Sequence, residues 1–182
     1  MVFAHDTEAA LQGAAALVNT VGMEVDTLSD LAALDEFVRE QGYTGSRRRS
    51  RAELDEVRAL RATLRRLWGL AEDDLVNEVN QILRDAKALP QLVRHGEWNY
   101  HLHATPPDAP LADRMAVEAA MAFVDVIREG ELSRLRICEY HDCESVVVDL
   151  SKNRSKRFCD LGCGNRAAVN AYRARRAARS GS

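Results

Sequence analysis

The chain has 182 residues, of which 46% are hydrophobic, 29% charged and only 5% aromatic, with a net charge of −3. That length fits one large domain, or one domain with a small module, and the apolar content is enough for a core in the first 130 residues. No apolar run reaches the roughly 18–20 residues of a membrane span, and no basic region followed by an apolar core opens the chain, so a cytoplasmic protein is expected.

Residues 7–21 predict a first helix, with Leu11, Ala14, Ala15 and Val18 at helical spacing and Gly22 at its end. Asn19 interrupts its apolar face, as a capping or hydrogen-bonding residue or as part of a polar site. Residues 28–41 predict a second helix, capped by Ser29 and stopped by Gly42. The Arg47-Arg48-Arg49 triplet reads as a solvated loop. Ser50-Arg51-Ala52-Glu53 forms a capping box in which Glu53 reaches back to the Ser50 amide. It opens the strongest helix, whose stripe is Leu54, Val57, Leu60, Leu64, Leu67 and Trp68. Residues 71–88 predict a fourth helix, closed by Pro90.

Residues 91–95 and 98–104 predict a β-hairpin across His95-Gly96-Glu97, in which Trp98, Tyr100 and Leu102 alternate with Asn99, His101 and His103. Two imidazoles on one strand face could chelate a metal or flank a ligand; simple polar alternation on a half-exposed strand is the other reading. If the body binds a small molecule, Asn19, Trp98, His101 and His103 are its expected polar lining. Residues 110–129 predict a long apolar helix ended by Gly130. Leu132–Ile137 then runs straight into Cys138 without a flexible linker, so the C-terminal part should pack on the body.

All four cysteines fall in that part: Cys138, Cys143, Cys159 and Cys163. The pattern is C-x4-C, fifteen residues, C-x3-C, which lets one chain wrap a zinc ion with four thiolates. Two disulfides or a redox switch are the alternatives. His141 lies between the first two cysteines and could replace a thiolate. A closed four-ligand site leaves no position for water, and no nucleophile–base motif or phosphate loop is present, so an enzyme is not expected. Val146-Val147-Val148 suits a short strand, Phe158 should pack beside the metal, and Gly164 meets a tight backbone at the start of a last helix. This describes a treble-clef-like finger. The fold expected is mainly α: a helical domain with a small β-hairpin over residues 1–134, then the finger over 135–182.

Charge divides the chain the same way. Residues 151–182 carry nine cations against Asp160 alone, a surplus of eight, which leaves −11 on the remainder. A basic module on an acidic body reads as one that meets a polyanion. Lys152, Arg154, Lys156 and Arg157 precede Cys159, while Arg166, Arg173, Arg175 and Arg176 follow Cys163; these are the expected DNA contacts, on phosphates chiefly. Arg166 suits either a guanine edge or an ion pair with Asp149, and Asn165 suits a helix cap.

The string Cys163-Gly164-Asn165-Arg166 opening a basic helix, preceded by Asp149 to Cys159, closely resembles the bacterial CGNR zinc-finger family. Upstream, Ala16-Leu17-Val18-Asn19-Thr20-Val21 and Glu53 to Arg61 resemble the Asn-Thr motif and the Leu-Arg-rich helix of the ABATE domain that precedes this finger. In the family the second cysteine pair is usually C-x4-C, and here it is one residue tighter. The resemblance implies a stress-response transcription regulator, with a structural zinc ion, a DNA-binding finger, and a helical domain that senses a small-molecule effector or forms a homodimer. A finger that binds protein rather than DNA, on a ligand-binding domain, is the second reading.

Overall fold

Six helices and two short antiparallel strand pairs make up the described residues, 2–22, 25–94 and 99–180, of the computed structural model. In chain order they are α1 (His5–Asn19), α2 (Leu31–Glu40), α3 (Arg51–Leu67), α4 (Glu72–Asp85), β1 (Gln91–Val93), β2 (His101–His103), α5 (Leu111–Arg128), β3 (Leu135–Ile137), β4 (Val146–Val148) and α6 (Cys163–Ser180). A single 3-10 turn, Leu132–Arg134, leads from α5 into β3. The α5 helix packs against α1, α3 and α4. Its Ala119, Ala120 and Ala122 are buried and small, so neighbouring helices come close, while Phe123 fills the centre and meets Trp68 edge-on at 5.0 Å.

Local chemistry departs from expectation at the starts of α2 and α3. Asp30, not Ser29, caps α2 by accepting the Ala33 amide at 2.9 Å. Ser50 caps α3, accepting the Glu53 amide, but the Glu53 carboxylate does not return to the Ser50 amide. It turns instead to the amides of Arg48 and Arg49 and to Arg47 Nε, at 2.9–3.1 Å. Glu53 is 1% exposed. A buried carboxylate needs a counter-ion, and this draws Arg47 in from the solvent, where the sequence pattern had placed it.

The β1–β2 hairpin pairs Leu92 with Leu102. Its faces are the reverse of an ordinary half-buried strand: His101 is buried, while Leu92, Tyr100 and Leu102 are exposed. Residues 95–98, with the expected turn and Trp98, lie outside the described residues.

Strand β4 joins the two parts of the chain. It pairs with β3 in the register Leu135 to Val148 and Ile137 to Val146. Successive strand residues face opposite sides, so Val146 and Val148 enter the helical core while Val147 packs on the cysteines. Asn19, at the end of α1, clamps the strand: its amide donates to Val146 O at 2.9 Å and its carbonyl accepts Val146 N at 2.8 Å. Trp68 Nε1 donates to Val147 O, and buried Arg134 donates to Asp149 O and Ser151 O. The finger is therefore built onto the body. No helix among the described residues is long and apolar enough to cross a membrane.

Candidate metal centre and nucleic-acid interface

The ligands Cys138 and Cys143 flank the turn that follows β3, and Cys159 and Cys163 flank the turn that opens α6. The second turn is possible because Gly162 takes a φ of 81°, a left-handed value. The backbone demand expected at Gly164 thus sits two residues earlier, between the two ligands. All four cysteines are buried, unpaired by disulfide, and their sulfurs lie within 4.8 Å of one another. Zinc held by four thiolates at about 2.3 Å sets sulfur pairs about 3.8 Å apart. Cys143 and Cys159 are 3.7 Å apart, and Cys159 and Cys163 3.4 Å. The donor set fits one structural zinc ion, with Phe158 and Tyr140 packed around it. His141 is not part of it; exposed, it meets Asp142 at 2.6 Å.

The Arg166 side chain does not reach Asp149. It donates to Cys163 Sγ at 2.9 Å and lies 5.0 Å over the Tyr140 ring. Burial raises the Cys163 thiol to about 12, and this hydrogen bond is the largest influence pulling it down. A guanidinium held by both a ligand sulfur and an aromatic face fixes the first turn of α6 against the metal knuckle. Asp149 is fully buried and spends its carboxylate nearer home, on the Ser151 amide and hydroxyl and the Lys156 amide. Burial works against its charge, yet those bonds hold its carboxyl below the usual range. The result is a closed loop, 149–156, that presents Lys152 and Arg154 outward.

The expected DNA contacts divide into two sets. Arg154 pairs with Glu131, Lys156 with Asp160 and Arg157 with Glu139. These are partly exposed pairs, and each cation already has an internal partner. On α6, by contrast, every residue from Ala168 to Arg179 is exposed. Arg173, Arg175 and Arg179 form no ion pair among the described residues. Asn165, the third residue of the helix, is also exposed; the helix starts at Cys163, too early for Asn165 to cap it. Asn165, Val169, Tyr172, Arg173 and Arg176 recur at helical spacing along one side, with Arg175 about 100° away.

A third feature lies in the body. A cavity of about 380 Å³ opens between α1, α5, β2 and the loop after α2, lined by Asp6, His101, His103, Glu118, Asp125 and Tyr43 among others. His101 and His103 thus face a shared cavity. Asn19 does not line it, being committed to β4, and Trp98 lies outside the described residues. Glu118 was missed from sequence because it reads as one more polar residue on an amphipathic helix. Its neighbours Val117 and Ala119 are both buried, which no spacing rule anticipates for a carboxylate between them.

Residues 134–176 match the CGNR zinc finger family, and residues 13–130 match ABATE, a family described as "Putative stress-induced transcription regulator". No curated protein matches the chain.

Proposed function

We propose that this chain, which belongs to the ABATE family and ends in a CGNR zinc finger, is a transcription regulator that holds duplex DNA with α6 and answers to a small molecule in its helical body. The observation that carries the reading is α6 itself: eighteen residues, about 27 Å of helix, fixed at its first turn by zinc ligands and solvent-exposed from Ala168 to Arg179. A helix of that width fits the major groove. Its arginines suit phosphates, and exposed Asn165 in the first turn suits a base edge.

Communication would run through α1. Its N-terminal turns border the cavity at Asp6 and Thr7, and its last residue, Asn19, grips the strand that underlies the cysteines. An occupant that shifts α1 would shift the finger, and in a homodimer it would change the spacing of two such helices.

Fluorescence anisotropy of a labelled duplex, titrated with zinc-loaded protein across a salt series, tests the reading. Affinity should fall steeply and log-linearly with salt, because each neutralised phosphate releases counterion. Exposed Val169 and Tyr172 on the same helix favour a second reading, a protein-binding finger. That reading takes over if no DNA affinity appears even at low salt.

A further inference from the structure

We propose that the body cavity is a binding site for a small organic cation, an amine or amidine on a compact apolar group, with Glu118 as its counter-ion. The inference rests on the reading that this cavity takes an effector, and it names the effector's chemistry.

Charge in the cavity is unbalanced. Glu118 borders the cavity and makes no hydrogen bond or ion pair among the described residues, although its surroundings are desolvating enough to raise its carboxyl to about 7. Arg114, one turn earlier on α5, does not neutralise it by contact. That guanidinium is spent on the carbonyls of Ser46, Pro107 and Ala109 at 2.8–3.0 Å. Asp125 follows two turns later on α5, and Asp6 stands on α1. Asp6 accepts the Leu102 amide at 3.1 Å, and Asp125 accepts the Thr7 hydroxyl at 2.5 Å. The described lining thus holds three carboxyl groups and no lysine or arginine.

The two histidines of the lining hydrogen-bond to each other. His101 Nδ1 faces the Asn99 carbonyl at 2.8 Å and must donate to it. In a neutral ring its Nε2 is then an acceptor, and His103 Nε2, 3.1 Å away, supplies the proton. A metal is not the occupant indicated: among the described residues only the cysteines converge closely enough for one. An ionised carboxylate in such a place is costly until a cation arrives, whereas an anion would meet three carboxyls. Ala10 and Met121 give the remaining wall an apolar character. A volume of about 380 Å³ lies at the small end of ligand cavities, which limits the apolar group to roughly one ring.

The test uses full-length, zinc-loaded protein at pH 8 and three probes of one shape: benzylamine, benzyl alcohol and phenylacetate. Amide chemical shifts of the cavity residues and thermal stability are read against probe concentration. Benzylamine should bind at least about tenfold more tightly than benzyl alcohol, as a charge-assisted contact requires, and phenylacetate should not bind. Glu118→Gln should remove the amine preference while leaving benzyl alcohol unchanged. Met121→Trp, which fills the space, should abolish binding of both. Tighter binding of phenylacetate, an unchanged amine preference in Glu118→Gln, or no cavity shift with any probe overturns the proposal. DNA affinity measured on the same samples separates the two readings. Amine binding without DNA binding sinks the regulator alone, and DNA binding without amine preference sinks this site alone.

Discussion

Arg166 acts on the metal knuckle, not on a distant carboxylate, and this changes what its loss should do. Arg166→Ala should speed the transfer of zinc to a competing chelator and weaken zinc affinity by about 10–100-fold, the usual scale for a residue that orients a metal ligand. Arg166→Lys should rescue only part of it, because an ammonium cannot both reach Cys163 Sγ and lie flat on Tyr140. With zinc in excess, base preference should be unaltered; a change at one base position would restore the base-reading role. Glu118 makes a second residue-scale prediction. Desolvation keeps a proton on its folded carboxyl to about pH 7, against 4.5 ordinarily, with Arg114 and His101 both working to lower it. The folded state therefore binds more protons between those values, and stability should fall as pH rises through that window, by on the order of 3 kcal/mol. Above pH 7 the penalty is constant. Urea unfolding at several pH values should show this slope, and Glu118→Gln should flatten it. Neither residue's role was legible in sequence. Spacing finds ligands and stripes, but a guanidinium's partner depends on which turn of backbone comes within reach, and Glu118's burial depends on four separate elements closing around it.

At the scale of elements, α6 is where exposure and charge coincide. Replacing Arg173, Arg175 and Arg176 together by alanine should weaken binding to every duplex alike. The log–log salt slope should flatten by up to about three units, one per lost phosphate contact. Alanine preserves helix propensity, so circular dichroism should be unaffected. An unchanged slope would move the phosphate contacts to Lys152 and the loop that Asp149 closes. The helices themselves were readable from their 3.6-residue stripes, and so was the four-cysteine spacing. The hairpin was readable as an element but not in its facing. Alternation identifies a strand's two sides, yet which side turns inward depends on what the opposite wall offers, and here that wall holds Glu118 and Asp125. The Arg47 triplet failed for a similar reason: charge runs are usually solvated, and only the burial of Glu53 recruits one of them.

At the scale of the whole molecule, the shared strand decides how the parts respond to each other. Val146 and Val148 belong to the helical core while Val147 belongs to the cysteine cluster. Chelating the zinc, or replacing Cys159 by serine, should therefore lower the melting temperature of the body as well as unfold the finger. Calorimetry should show one transition moving down, since a strand that loses one face loses its place in the other. A body transition unmoved by chelation would mean that β4 keeps its seat without the metal. The absence of a linker before Cys138 pointed to packing, but the depth of the contact depends on Asn19, whose side-chain amide matches one peptide unit of β4.

Trp68 stands at that same joint, with its indole N–H on the Val147 carbonyl and its ring edge-on to Phe123. The chain contains two tryptophans. With Trp98 changed to phenylalanine, the remaining indole becomes an optical gauge seated between body and finger. Its emission colour and lifetime would track metal loading, occupancy of the cavity and engagement of a duplex in one cuvette, without any attached dye.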